Sequence, residues 1–426
     1  MNDLAVASLI FSLTYLLIIS ERVHKTAAAL IGGVAVVAFR VLDQEEAFAA
    51  IDLNVIFLLV GMMVIANTLG KTGAFQWLAI RAAKAARGNP LYIMLILGAI
   101  TALGSAFLDN VTTVVLMAPL SLFVAGVLGV SPVPFLISLI FASNIGGTAT
   151  LIGDPPNILI GSAADLSFAD FIVHLAPIIL IVLAVFFAAA FLILRREMRP
   201  LAEYQRRVTA LDESEVLGDH RLLYLSLGVL ALVILGFLLH GALELEPATV
   251  ALGGAAALII VGGIHPREAF LEVEWATIFF FVGLFMVVGG VEQAGLLEDI
   301  GQGMSDAAGG HLWAGTMLVL WSGALLSGIV DNIPFTAAMI PVVQELGQDL
   351  GAQQSAGNPL WWALALGAGL GGNLTLVAAS ANVYVASVAE RAGYRVSFLE
   401  FLKWGGLVTL ASLVLATVYL WLRYLL

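Results

Sequence analysis

Residues 143–157 read SNIGGTATLIGDPPN, a polar and glycine-rich run inside an otherwise apolar stretch of the chain. Its glycines permit irregular turns, and Pro155 and Pro156 remove backbone donors and stop a helix from continuing. In a membrane, such an interruption is tolerated only inside protein or beside a water-filled cavity. The run therefore predicts a helix that is broken in the interior of a membrane protein.

A matching run, GGNLTLVAASAN, occupies residues 371–382 in the second half of the chain. A shift of 225 residues aligns the two runs, and a shift of 222 aligns the segments before them. The aligned positions are 46–48 with 268–270, 60–61 with 282–283, Gly73 with Gly295, 109–110 with 331–332, 146–147 with 371–372, Thr150 with Thr375, and Asn157 with Asn382. This ordered series indicates that the two halves are repeats of one unit.

Two apolar stretches, at about 91–125 and 312–343, do not have the pattern of single spans, because polar residues interrupt their middle. The first contains LDNVTT at 108–113, and the second contains VDNIP at 330–334. Two half-helices that meet at a polar tip describe a re-entrant hairpin, which needs the same shelter from lipid as a broken helix. Each half is therefore predicted to hold one hairpin.

The composition is that of a membrane protein, with 61% hydrophobic and only 11% charged residues, whereas a soluble domain has roughly a quarter of its residues charged. Ten apolar stretches near the spanning length lie at roughly 4–20, 26–42, 53–70, 134–152, 170–194, 221–240, 248–264, 275–291, 360–378 and 403–423. We predict an all-α polytopic fold in which 1–194 and 221–426 each hold five spans and one hairpin, joined by a cytoplasmic linker at 195–220. An odd number of crossings makes the repeats inverted, which is the plan of a secondary active transporter.

The basic residues indicate the orientation. With the N-terminus outside, 16 of the 18 lysines and arginines fall on the cytoplasmic side, as the positive-inside rule requires. We therefore expect a multi-pass inner-membrane protein with periplasmic termini and a cytoplasmic central loop. The chain has no cysteine, which excludes disulfides and thiolate metal sites. No basic cluster with interleaved aromatics indicates nucleic acid, and no metal or cofactor is implied.

Three acids fall at membrane depth, Asp109, Asp154 and Asp331. An ionisable group there is costly and is functional by default, so we predict that these three carry the coupling protons. Asp109 and Asp331 could instead only cap the second half-helix of each hairpin. The candidate substrate-binding residues are the uncharged polar ones at the tips and breaks: Asn110, Thr112, Asn144, Thr148, Thr150, Asn157, Asn332, Asn373, Thr375, Ser380 and Asn382. Their alternative role is polar packing between helices.

The 146–157 run and the two Asp-Asn tips resemble the ion transporter superfamily. The nearest resemblance is to the branch that holds the ArsB-type arsenite permeases, the melanosomal P protein and NhaD-type sodium/proton antiporters. It covers essentially the whole chain, and the GDPPN signature at 153–157 is specific to the branch rather than to a substrate. It implies a scaffold of the first three spans of each half and a transport domain of hairpins and broken helices that moves like an elevator. A homodimer and an arsenical-pump ATPase are the protein partners that it implies.

The hairpin tips differ from those of the related sodium/dicarboxylate carriers, which have Ser-Asn-Thr at both tips. Here the tips read Asp-Asn-Val at 109–111 and Asp-Asn-Ile at 331–333. This difference favours proton-coupled export, and we expect efflux of arsenite or antimonite in exchange for protons. At neutral pH arsenite is an uncharged trihydroxide, which Asn and Thr side chains can hold in a site that lacks lysine and arginine.

Other functions remain open. In a sodium/proton antiporter, the same carboxylates with Thr150 and Thr375 would ligate the ion. Import of an organic anion such as a dicarboxylate ranks third, because no basic residue is expected at the site. An intramembrane hydrolase could use two of the aspartates, and a channel would need no coupling, but neither gives a reason for the repeat. We therefore predict a transporter and not an enzyme.

Overall fold

The computed structural model describes residues 3–20, 22–198, 203, 206, 208, 216–243, 245–352 and 355–426. Most of the predicted linker at 195–220 lies outside these residues. The described part of the first half contains α1 (Asp3–Ser20), α2 (Lys25–Ala38), α3 (Gln44–Ala49), α4 (Leu53–Lys71), α5 (Ala74–Ala85), α6 (Pro90–Leu108), α7 (Asn110–Leu128), α8 (Val133–Gly147), α9 (Pro155–Ala163), α10 (Phe168–His174) and α11 (Ala176–Leu194).

The second half repeats this order of helices. It contains α12 (His220–Leu243), α13 (Pro247–Gly262), α14 (Pro266–Leu271), α15 (Trp275–Gln293), α16 (Leu296–Ala308), α17 (Leu312–Ser327), α18 (Asn332–Asp349), α19 (Pro359–Gly371), α20 (Ser380–Arg391) and α21 (Phe398–Leu420), which ends in a π-helical turn at Trp421–Leu425. Only α10 has no counterpart among the described residues of this half. The prediction of an all-α polytopic protein is confirmed.

The repeat extends to individual backbone angles. Gly73 and Gly295, which the sequence aligns, have φ of 80° and 84°, and each precedes a short amphipathic helix, α5 and α16. Glycine adopts positive φ without the steric cost that a side chain brings. The aligned glycines therefore occupy the same turn in both halves.

Helix length is sufficient for many membrane crossings. Eight described helices are long and apolar enough to span, namely α1, α4, α6, α7, α11, α12, α15 and α21, and five shorter apolar helices accompany them, α2, α8, α13, α17 and α19. The α6 and α7 helices are the arms of the first predicted hairpin, joined by Asp109 alone. The chain is therefore a multi-pass membrane protein.

Four predicted spans differ from the helices that form. The helices within 26–42, 134–152 and 360–378 end at Ala38, Gly147 and Gly371. The first ends because Arg40 adopts a φ of 59°, and the other two end at the polar breaks. The stretch 170–194 divides into α10 and α11 at Leu175, and α10 is bent by 114° from α9.

Fourteen of the helices fall into two groups by their contacts. The six-helix bundle consists of α1, α2, α4, α12, α13 and α15, in which α2 packs on α15 and α4 packs on α13. The hairpin bundle consists of α6–α9 and α17–α20, in which α7 packs on α20 and α18 packs on α9. Each of these pairs joins one half of the chain to the other.

Small residues bring the helices of the six-helix bundle into backbone contact. A Cβ atom on Gly61 would lie 2.7 Å from the Ala251 carbonyl carbon, and one on Gly283 would lie 2.4 Å from that of Ala29. The two contacts are equivalent, because Ala251 and Gly283 follow Ala29 and Gly61 by 222 residues. Close approach at small residues is a common basis of helix association in membranes.

Candidate functional site

The first break lies between α8 and α9, where residues 148–154 leave the helix. Asn157 donates from Nδ2 to the carbonyl oxygens of Thr148 and Thr150, at 3.2 and 2.8 Å. The Thr150 hydroxyl donates to the Ala106 carbonyl oxygen in α6. These side chains therefore satisfy carbonyls of the break and fasten it to the first hairpin.

The second break, between α19 and α20, has a similar set of hydrogen bonds. Asn382 donates from Nδ2 to the carbonyl oxygens of Gly372 and Thr375, at 2.7 and 3.0 Å. The Thr375 hydroxyl donates to the Gly328 carbonyl oxygen at 2.7 Å, and Gly328 is the residue aligned with Ala106. Thr150, Asn157, Thr375 and Asn382 thus build the breaks, and their donor groups are occupied within the protein.

Asp109 forms the tip of the first hairpin and caps α7. Its carboxylate accepts from the Thr112 backbone N–H at 2.9 Å and from the Thr112 hydroxyl at 2.6 Å. Its φ of 79° is rare for a residue with a side chain. Asn110 follows and is buried, with an Oδ1 atom that has no hydrogen-bond partner. The predicted site residue Thr112 therefore donates both its backbone N–H and its hydroxyl to Asp109.

Asp331 forms the tip of the second hairpin and has a cationic partner. It caps α18 through the Ile333 backbone N–H at 3.1 Å, and Lys25 Nζ lies 2.6 Å from its Oδ2. The same Nζ donates to the Ser380 hydroxyl at 2.6 Å, and Ser380 in turn lies 3.3 Å from Asp331 Oδ2. The expectation of a site without lysine was wrong. Lys25 is the first residue of α2 in the six-helix bundle, and it contacts Asp331, which lies 306 positions further along the chain.

Asp154 lies at the start of α9, between the two halves. Its side chain is 1% exposed and makes no capping bond to its own helix. Instead, Asn332 Nδ2 donates to both carboxylate oxygens, at 3.3 and 3.2 Å. Asp109 and Asp331 lie within electrostatic range of it, and within the described part of the chain no cation pairs with it. Asp154 is thus a buried acid whose hydrogen-bond partners are neutral amides, those of Asn332 and Asn110.

A cluster of amides joins the two breaks. Asn144 donates from Nδ2 to Asn373 Oδ1 at 3.1 Å and to Asn382 Oδ1 at 2.9 Å. This arrangement leaves Asn144 Oδ1 and Asn373 Nδ2 buried without a partner. An unsatisfied buried polar group costs about 1–3 kcal/mol. One free acceptor in the last turn of α8 and one free donor in the second break are therefore the best candidates for contact with a polar solute.

The remaining predicted residue, Thr148, donates its hydroxyl to the Asn144 carbonyl oxygen at 2.8 Å.

The three aspartates do not converge on one point, since among the described residues no three His, Cys, Asp or Glu side chains are grouped closely enough to hold a metal ion. The structure therefore brings the predicted residues to one region, but only some present free polar atoms there. Lys25 was missed because a lysine at the start of an apolar run carries no local signal of its partner.

Two helical halves with the same order of helices, each with a polar tip and a polar break, have the plan of a secondary transporter. The model of the CitMHS family, described as citrate transporter, matches residues 15–367. The chain belongs to this family, whose members are membrane transporters and not enzymes. The predicted relationship to the ion transporter superfamily is confirmed.

Relatives extend over the whole chain. An uncharacterized transporter of Mycobacterium tuberculosis is 47% identical over 98% of both chains. A 46 kDa membrane protein of Mycobacterium leprae is 44% identical over 99% of both. The human P protein is 33% identical over 98% of this chain and 60% of its own length.

Among solved structures, the YdaH transporter of Alcanivorax borkumensis superposes with a TM-score of 0.61 over 99% of this chain and 98% of its own, at 14% sequence identity. At this level of identity the likeness shows the fold alone.

Proposed function

We propose that this protein is a proton-coupled antiporter in which Asp154 carries the proton. The observation that supports this most is the pairing of Asp154 with the neutral Asn332 amide from the opposite half. An acid at membrane depth is expensive to keep charged, and among the described residues no cation pairs with Asp154 in competition with a proton. Asp109 and Asp331 are the further proton-coupling residues of the proposal.

The proposed cargo is arsenite or antimonite, exported as an uncharged trihydroxide. The free acceptor Asn144 Oδ1 and the free donor Asn373 Nδ2 suit a hydroxylated neutral solute, because one hydroxyl can donate to the first and accept from the second. A neutral cargo also adds no charge to a region that already holds three carboxyl groups.

Two other cargoes have specific support. Sodium, exchanged for protons, is favoured by the unpartnered oxygens of Asn110 and Asn144. An organic anion is favoured by the presence of Lys25 and by the citrate description of the family. The anion ranks below the others, because Asp331 neutralises Lys25 and the neighbouring acids repel a carboxylate.

The orientation and the movement are part of the same proposal. We infer an inner-membrane protein with periplasmic termini, a cytoplasmic central loop and re-entrant hairpins. The six-helix bundle would be the fixed scaffold, and the hairpin bundle would carry the cargo past it. A homodimer and an arsenical-pump ATPase remain the partners implied by the resemblance.

Transport in everted membrane vesicles tests the cargo. Arsenite, antimonite, sodium and citrate are offered side by side, with proton movement followed by a pH-sensitive dye and vesicles lacking the protein as the control. We expect arsenite and antimonite to accumulate with release of internal protons, and an uncoupler to abolish both. Proton release with sodium alone would replace the proposed cargo by sodium, and transport of citrate alone would replace it by an organic anion.

A further inference from the structure

Lys25 forms an ion pair between the six-helix bundle and the second hairpin. Its ammonium is held by two oxygen atoms of the hairpin bundle, Asp331 Oδ2 and Ser380 Oγ, each at 2.6 Å. On its other side it lies 5.1 Å from the centre of the Phe280 ring in α15. A second bond reaches the same tip, since the Tyr15 hydroxyl of α1 donates to the Pro334 carbonyl oxygen at 2.7 Å.

The equivalent contact is missing at the first hairpin. The residue aligned with Lys25 is Pro247, and the residue aligned with Ser380 is Pro155. Asp109 instead accepts a hydrogen bond from the hydroxyl of Thr112 in its own hairpin. The position aligned with Thr112 is Pro334, which has no hydroxyl. Asp331 therefore has no hydroxyl donor in its own hairpin. Its side-chain partners are Lys25 of the six-helix bundle, at 2.6 Å, and the more distant hydroxyl of Ser380 in α20, at 3.3 Å.

Other charged and titratable groups lie around this pair. Asp154 lies within electrostatic range of Asp331, and Glu274, just before α15, lies within range of Asp109. On its own element, Lys25 follows His24, which caps α2, and Arg22. The Lys25 ammonium attracts Asp331 only while that carboxyl is charged, and a proton on Asp331 removes the attraction.

We propose that Lys25 is a positioning residue that clamps the second hairpin to the six-helix bundle while Asp331 is ionised, and releases it when Asp331 binds a proton. The inference rests on the proposed proton coupling. An empty carrier would then be held in this conformation, and only a carrier with a proton on Asp331 would be free to move. The clamp would suppress movement without a proton and so maintain the coupling.

The test uses the absence of cysteine from the chain. Asp52 of α4 accepts a hydrogen bond from Ser162 of α9, so Asp52→Cys with Ser162→Cys places two thiols across another contact between the bundles. Their cross-linking by a short bis-maleimide in liposomes reports how much protein occupies this conformation. Lys25, Lys25→Met, Lys25→Arg and Asp331→Asn are compared in this background at a single pH of about 7, so that the thiolate fraction that reacts is similar in every variant. Asp331→Asn represents the uncharged state of Asp331.

We expect the chain with Lys25 to cross-link severalfold more than Lys25→Met and Asp331→Asn, in which the ion pair is absent. These two variants should give equally low yields, and Lys25→Arg should restore the yield. A wild-type yield in Lys25→Met would overturn the clamp. Each variant is first shown to elute as a single species in detergent, and Lys25→Arg, which keeps the charge, separates loss of the ion pair from misfolding.

The cross-linking needs no cargo, so its outcome is distinct from that of the proposed function. If no cargo moves with protons but the cross-linking yield still depends on Lys25, the clamp is supported and the proposed antiport is rejected. If antiport is found and Lys25→Met leaves the cross-linking unchanged, the clamp alone is rejected.

Discussion

Asn332 donates to both carboxylate oxygens of Asp154, so an acid of the first half is held by the hairpin tip of the second half. The two residues are 178 positions apart and both are buried. Any movement that separates the second hairpin from the first break must break this contact. The pair therefore links the state of the acid to the arrangement of the two repeats.

Removal of the Asn332 amide should impair transport. In Asn332→Leu the Asp154 carboxyl loses the hydrogen bonds that the Asn332 amide donates, and the loss of a hydrogen bond to a charged group is worth about 1.5–3 kcal/mol. We expect the initial rate in vesicles to fall about tenfold or more, since tenfold corresponds to about 1.4 kcal/mol. The matched control is Ser121→Ala, which removes a buried hydroxyl that makes no hydrogen bond. Equal rates in the two variants would contradict a role for the pair.

Substitution by asparagine separates capping from proton carriage at the hairpin tips. Asp109→Asn and Asp331→Asn keep an oxygen that can cap α7 and α18 but remove the titrating group. We expect both variants to remain folded and to lose coupled transport, measured as proton flux per cargo moved. If both transport at the wild-type rate with unchanged pH dependence, Asp109 and Asp331 are only caps.

The two breaks should not be interchangeable. Ala379 precedes α20 with φ −149° and ψ 145°, close to the −148° and 134° of Asp154 before α9. An acid at 379 would nevertheless adjoin Ser380, which binds Lys25, rather than a neutral amide. We expect Asp154→Ala to abolish coupled transport and Ala379→Asp to fail to restore it in the double variant. Restoration to the wild-type rate would mean that only the total charge of the region matters.

Stability should depend on the glycine contacts of the six-helix bundle. Gly61→Ala and Gly283→Ala each add a Cβ closer than 3 Å to the backbone of a neighbouring helix, and such overpacking costs about 1–3 kcal/mol. We expect the melting temperature in detergent to fall by several degrees. Gly253→Ala in α13 is the control, because its Cβ would meet nothing within 4 Å. A similar melting temperature for all three variants would show that the bundle can adjust.

Local sequence patterns predicted where the helices are interrupted better than which residues contact each other. The glycine and proline runs located both breaks, and the Asp-Asn pairs located both hairpin tips, since each depends on residues adjacent in sequence. The partners Asn332 of Asp154 and Lys25 of Asp331 depend on how the two halves interlock, which no local pattern encodes. The same limit applies to Thr150 and Asn157. Their polarity indicated a binding site, but their side chains donate hydrogen bonds to backbone carbonyl oxygens of the protein.

The most direct test of the account is the proton flux of Asp154→Asn in liposomes that contain a pH-sensitive dye. The substitution removes the titrating group and keeps a polar side chain of nearly the same size opposite Asn332. With an outward-directed cargo gradient, the account predicts cargo-dependent proton movement in the wild type and none in Asp154→Asn, although the variant is folded in the membrane. Cargo-dependent proton movement at the wild-type rate in Asp154→Asn would contradict the claim that Asp154 carries the proton.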